Sequence, residues 1–390
     1  MGEGPRSFER TSPSEWARLG SSSVKAPSLV PVLPDIPICA VERMGVRELE
    51  RIRLILRGGS VIDWRRMHFQ SRGEVDNFLR LLQLDVSRPY DEEWARAVLA
   101  EAVEYLRKTF NYRVADAVAR PEEIHDLFLY ASGVKGSPRH RRIACVVLKV
   151  MHVIQHIEGR DLLFRLPVSE VELAELITER VLGVAAEMQA KGLPIVEFAH
   201  SIKTQDSLIT KLLAKKDTVA AQVYDRTRFR VVTRKREDLL LVLYYLTQRL
   251  FPFHLVVPGQ TENTLMPFKT VLAENPHFEQ HIAKLHLDRD FEDRENAGGN
   301  VFSGNTYRAL NFVVDIPMRM DAYLPPPEED TRHRKGRIII SLVEFQIVDE
   351  ETARLNERGE NAHEAYKRRQ RQRVLKRLSQ GLVVPKRQEK

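Results

Sequence analysis

The sequence predicts an α+β protein: an all-helical N-terminal block followed by a domain in which helices flank a mixed or antiparallel sheet. Three observations predict this. Apolar residues recur at three- and four-residue spacing from about residue 45 to about residue 215, the period drops to two after about residue 220, and Gly- or Pro-containing turns punctuate both halves.

Residues 1–36 are rich in Ser, Pro and Gly without apolar period, and read as a mobile arm. The helical block, 37–195, carries EEWARAVLAEAVEYLRKTF (92–110), RRIACVVLKVMHVIQHIEG (141–159) and VSEVELAELITERVLGVAAEMQAKG (168–192), each with a helical apolar stripe. The second domain, 196–370, supplies strand patterns in RFRVVTR (228–234), FPFHLVVP (251–258), ALNFVVDIP (309–317) and RIIISLVEFQIV (337–348). One helical stretch, EDLLLVLYYLTQRL (237–250), divides the first two, and 259–308 reads as an irregular insertion carrying functional loops. Residues 371–390 form a basic tail.

Composition narrows the function classes. With 390 residues and 43% hydrophobic content, the chain can bury a sizeable core. No run approaches the roughly 18 apolar residues of a membrane span, and the first residues lack the apolar core of a secretory signal, so a cytoplasmic protein without a membrane partner is expected. Two distant cysteines, Cys39 and Cys145, indicate neither a disulfide framework nor a zinc knuckle. The formal charge of +7 favours anionic partners, and KRRQRQRVLKR (367–377) concentrates it, so RNA contact stands beside a solvated helix as its reading. Homo-oligomerisation is left open.

Four segments of the second half carry chemistry. In KTQDSLITKLLAKK (203–216), Lys203, Ser207 and Lys211 share a helical face that can present two ammonium groups to a phosphate chain. In VYDRTRFRVV (223–232), Arg226, Arg228 and Arg230 share one strand face opposite Thr227, Phe229 and Val231. A row of cations on a core strand is costly unless an anion covers it, so it reads as a polyphosphate floor with Asp225 at its rim. In SGNTYRALNF (303–312), a turn delivers Asn305 and Tyr307, an amide and a ring on which a base can stack. In VEFQIVD (343–349), Glu344 and Gln346 face away from Val343, Phe345 and Ile347. A buried mid-strand acid is explained most readily by a metal, a cation or a substrate hydroxyl. Asp225 and Glu344 would converge on one divalent cation, magnesium by its preference for oxygen ligands.

The order Lys…Ser…Lys, D-x-x-x-x-R-V-V, N-x-Y and V-E-F-Q-I, followed by H-E-A-Y-K (363–367), resembles the synthetase domain of RelA/SpoT alarmone synthetases over about residues 200–370. The resemblance implies a nucleotidyltransferase-like fold that moves the β,γ-pyrophosphate of ATP onto the 3′-hydroxyl of GDP or GTP. It places the metal-binding aspartate on Asp225 and the glutamate that activates the acceptor hydroxyl on Glu344. It assigns ATP-phosphate contacts to Lys203 and Lys211 and the base-stacking ring to Tyr307. Asp238 matches the acid that opens the following helix. Ser207, Arg226, Arg228, Asn305 and Gln346 complete the expected phosphate and acceptor contacts.

The chain departs from that pattern at three positions. Ser201 replaces an arginine, Asn311 a histidine, and Arg228 a glycine or alanine. These departures bear on donor affinity and acceptor identity. They keep two alternatives in view: pyrophosphorylation of the 3′ end of tRNA, as in some small relatives, and a nucleotide- or RNA-binding regulator without turnover.

The helical half holds weaker signals. His125-Asp126 does not have the surroundings of a metal-dependent hydrolase site, and reads as a helix-start pair. His152 and His156 have metal-compatible spacing but no accompanying HExxH acid, so a packing role is expected. LRGGSVIDWRR (56–66) reads as a turn followed by a packed Trp64.

Overall fold

The fold is known from a computed structural model, which describes residues 9–10, 33, 44–57, 68–202, 205–214, 227–268, 270, 272, 276–278, 306–326, 336–358 and 363–379. The described strands are β1 (Glu9–Arg10), β2 (Ile195–Ile202), β3 (Thr227–Thr233), β4 (Glu262–Asn263), β5 (Leu310–Arg319) and β6 (Ile338–Asp349). The described helices are α1 (Val46–Arg57), α2 (Arg72–Leu81), α3 (Pro89–Phe110), α4 (Asp116–Ala119), α5 (Ile124–Ser132), α6 (Pro138–Arg165), α7 (Glu170–Ala190), α8 (Gln205–Ala214), α9 (Asp238–Arg249), α10 (Glu350–Asn356) and α11 (His363–Leu378). The protein is α+β.

Helix starts follow from local chemistry. Ser71, Ser137 and Ser169 each accept a backbone N–H at the head of α2, α6 and α7, and Pro138 occupies the first turn of α6, where no donor is needed. Asp126 belongs to a capping box with Glu123 at the start of α5, which is the helix-start role read from the sequence.

The six strands form one mixed sheet in the order β1-β2-β3-β6-β5-β4. Only β3 and β6 run parallel; the other pairs are antiparallel. Phe229, Phe345 and Phe312 occupy directly opposed positions on β3, β6 and β5. Their rings stack at centroid distances of 5.5 Å in both pairs, each ring fully buried. This aromatic ladder fixes the register, because a slip of one residue would turn all three rings to the opposite face. The neighbouring residues Arg228, Glu344 and Val313 are thereby committed to the second face.

The two largest hydrophobic clusters among the described residues flank this arrangement. The larger joins the aromatic face of the sheet to Leu49, Ile52 and Ile55 of α1, Ile177 and Val181 of α7, and Leu239, Leu243 and Leu246 of α9. The second is helical, built from α2 to α6 around Val75, Leu99, Ala102 and Ala144. Gly159 of α6 approaches the Ile338 carbonyl of β6; a Cβ there would lie 3.1 Å from that oxygen. Arg319 of β5 reaches α3, donating from Nη1 and Nη2 to the Asp91 carboxylate at 2.7 and 2.9 Å with both side chains buried.

Three expectations change. Helical periodicity in the sequence reaches about residue 215, yet residues 195–202 form β2: Gly192 at φ 75° and Pro194 end α7, and the following IVEFAHSI favours extended backbone. FPFHLVVP is not a strand but a 3-10 turn over Phe253–Leu255 entered from Pro252, and only Val256 bridges to Val314. Glu9 and Arg10, within the segment read as an arm, pair with His200 and Ala199.

Candidate functional site

The second face of the sheet carries two rows of residues across four strands. Register aligns Ser201, Arg228, Glu344 and Val313 in one row, and Ala199, Arg230, Gln346 and Asn311 in the next. The cation row and the acid-amide row expected from separate segments are therefore immediate neighbours. Arg228 Nη2 donates to Glu344 Oε1 at 2.5 Å, with the side chains 26% and 11% exposed. Burial alone would lower the Arg228 pKa, but the charge and hydrogen bond of Glu344 outweigh it and hold the guanidinium more firmly protonated than usual.

In the second row, Gln346 Nε2 donates to Tyr307 Oη at 2.8 Å and to Asn311 Oδ1 at 3.0 Å. Burial raises the Tyr307 pKa against the opposing pull of Arg228 and Arg230, so the phenol stays neutral. The turn that presents Tyr307 is clamped from behind. Asn356, at the end of α10, accepts from Arg308 N at 3.1 Å and donates to its carbonyl at 2.6 Å. Arg230 Nη2 lies 3.8 Å from Glu357 Oε1.

Two helices border the Arg228 end. Ser207 and Lys211 sit four residues apart and half-buried on α8, which packs against α11. Tyr366 of α11 packs with Ala214 and Val374 and contributes to the field at Arg228. Lys367 is pushed to a lower pKa by burial first and by the nearby charges of Arg371 and Arg228 second. Asp238 accepts from Lys235 N at 2.8 Å and shapes the turn between β3 and α9; burial raises its pKa.

Of the residues expected from sequence, Arg228, Glu344, Gln346 and Tyr307 form one connected patch. Lys203, Asp225, Arg226 and Asn305 lie outside the described residues, as does Trp64. Asn311 and Lys367, which belong to the ordered motifs of the sequence, and Asn356, which no motif marked, also join the patch. Asn311 was detectable: it lies on the Gln346 face of the third apolar-alternating segment.

The histidines of the helical half belong elsewhere. His125 Nε2 is 2.6 Å from Asp76 Oδ1. The rings of His152 and His156 on α6 meet edge to face at a centroid distance of 4.5 Å, and His152 meets His254 edge to face at 5.3 Å. Burial lowers their pKa values to about 3 for His152 and about 4 for His156. Asp315 of β5, 3.7 Å from His156 Nε2, is raised by burial to about 7, with Arg160 opposing.

No family model matches the chain, and no curated protein matches it. Among solved structures, it is similar to small alarmone synthetase 1 from Bacillus subtilis bound to its product pppGpp, at 14% identity over 53% of this chain and 86% of that one, with a TM-score of 0.28. It is also similar to small alarmone synthetase 2 from Bacillus subtilis, at 13% identity over 54% of this chain and 97% of that one, with a TM-score of 0.27. Overlap this slight carries no argument about chemistry.

Proposed function

We propose that this chain is a pyrophosphokinase that transfers the β,γ-pyrophosphate of ATP to the 3′-hydroxyl of GDP or GTP. The observation that supports the reading best is the 2.5 Å pair of Arg228 and Glu344, placed side by side on a face whose next row offers Gln346 and Tyr307. A carboxylate beside a fixed cation is what transfer to a hydroxyl asks for: one group takes the proton and the other neutralises phosphate charge. The ordered motifs from Lys203 to Lys367 support the same class.

In this reading the acceptor oxygen attacks the β-phosphorus of ATP, the bond from that phosphorus to the α–β bridging oxygen breaks, and AMP leaves. Glu344 takes the acceptor proton. Arg228, Lys203, Lys211, Ser207 and Arg226 bind the polyphosphate, while Tyr307, Asn305 and Gln346 hold the acceptor. The phenol of Tyr307 keeps its proton and offers a neutral ring to a base.

Magnesium is proposed with Asp225 and Glu344 as ligands, and its contribution would be to neutralise the polyphosphate. The described residues alone do not make that site: no group of three acids, histidines or cysteines is arranged for a metal among them, and Glu344 is engaged by Arg228. No step above therefore passes through the ion.

The engagement of Glu344 by Arg228 also favours a second reading, a nucleotide-binding regulator without turnover. Incubation with γ-labelled ATP, magnesium and GDP, GTP or tRNA in parallel separates the two. Label on GDP or GTP supports the proposal, label on tRNA moves the acceptor to RNA, and label on none favours the regulator.

A further inference from the structure

Between Tyr366 and Ser379 the chain contains seven cations and no acid. Helix α11 holds this segment and uses one side for packing: Tyr366 and Val374 meet Ala214 of α8, Gln370 is buried, and Arg377 Nη1 donates to the Leu213 carbonyl at 2.5 Å. That leaves Arg368, Arg371, Arg373 and Lys376 exposed on the rest of the circumference. A rise of about 1.5 Å per residue spreads Arg368 to Lys376 over roughly 12 Å of helix axis, enough to meet successive phosphates of one strand.

Like charges this dense repel one another. At the near end, burial first and the charges of Arg371 and Arg228 second lower the pKa of Lys367. Helix propensity from arginine and lysine maintains the helix, but propensity is indifferent to sign, so charge of one sign calls for a polyanion. Tyr366 and Val374 face the buried side of α11, and among its described residues the exposed Leu375 and Leu378 do not make a continuous apolar stripe for a lipid surface.

We propose that the exposed side of α11 docks the phosphodiester backbone of a single-stranded nucleic acid, with Arg368, Arg371, Arg373 and Lys376 as phosphate contacts. The contacts are sequence-independent, because a helix lying along a strand reaches phosphates before bases. Docking stands apart from the transfer reading, since it needs neither ATP nor Glu344.

The test is fluorescence anisotropy with labelled single-stranded RNA and DNA of matched sequence, without ATP, across a salt series. The wild-type protein should bind at low salt, with log K falling by about 0.7 per log unit of salt for each phosphate neutralised. Arg368→Glu, Arg373→Glu and Lys376→Glu combined should weaken binding at least tenfold and make that slope shallower by about 2, with melting temperature unchanged. The tighter of RNA and DNA identifies the source of the strand. Equal binding by wild type and variant, salt-independent binding by wild type, or preference for anionic vesicles over both strands overturns the proposal. If the triple variant fails to fold, the wild-type salt slope and the vesicle comparison decide.

Discussion

Arg228 on β3 and Glu344 on β6 meet at 2.5 Å across the parallel strand pair of the sheet. Neither residue would sit comfortably on this face alone, since each brings a charge to a largely enclosed surface. The pair is held in register by Phe229 and Phe345, their immediate neighbours on the opposite face. Packing on one side of the sheet thus sets charge geometry on the other.

The first prediction concerns that pair. Glu344→Ala leaves the Arg228 guanidinium without its carboxylate and should cost on the order of 1–3 kcal/mol in chemical denaturation. Arg228→Ala should cost a similar amount, and the double variant less than the sum. Additivity within about 0.5 kcal/mol would show that the two side chains are not coupled.

The second concerns Tyr307. Tyr307→Phe removes the oxygen that accepts from Gln346 but keeps the ring, so it should lower stability by about 1 kcal/mol. If the ring stacks on the acceptor base, Tyr307→Phe should retain guanine-nucleotide affinity and Tyr307→Ala should lose about tenfold or more by calorimetry. Equal affinities for the two variants would remove Tyr307 from the acceptor site.

The third concerns pH. The Asp315 carboxyl is raised from 3.8 to about 7, so the folded state binds this proton more tightly and the associated stability declines as pH rises from about 4 to about 7. His152 and His156 act oppositely: lowered from 6.5 to about 3 and about 4, they make stability rise with pH up to about 6.5. Asp315→Asn should therefore stabilise the protein by about 2 kcal/mol more at about pH 8 than at about pH 5.5. A variant with the same pH dependence as wild type contradicts the assignment.

The fourth concerns the tie between helices and sheet. Asp91→Ala leaves Arg319 buried against α3 with half its partners gone, and should destabilise by about 3 kcal/mol or more in chemical denaturation. A loss below about 0.5 kcal/mol would mean that the contact is dispensable.

Much of the fold was legible because period reports burial. The apolar stripes of α3, α6, α7 and α9 and the alternation of β3, β5 and β6 each mark one buried face, and each appears within a few residues of its expected bounds. FPFHLVVP was misleading because its apolar residues are buried by a 3-10 turn, and burial without alternation does not distinguish turn from strand. β2 was hidden by its place directly after a long helical run.

The candidate site was legible where a residue conflicted with its surroundings. Arg228 and Glu344 stood out as charges in apolar strands, but their contact depends on the β3–β6 register, which neither segment contains alone. Asn356 gave no such conflict, because an amide at a helix end is unremarked until its partner is known, whereas Asn311 was marked only as a departure from an expected histidine. Lys367 could not be placed without the packing of α11 on α8.

The most direct test of the central claim, that Glu344 receives the acceptor proton in pyrophosphoryl transfer, is single-turnover transfer of label from ATP to GDP by Glu344→Gln beside wild type, with ATP affinity measured on both. The account predicts that wild type transfers label, that Glu344→Gln is slower by about a thousandfold or more, and that both bind ATP alike. Transfer by Glu344→Gln at the wild-type rate would contradict it.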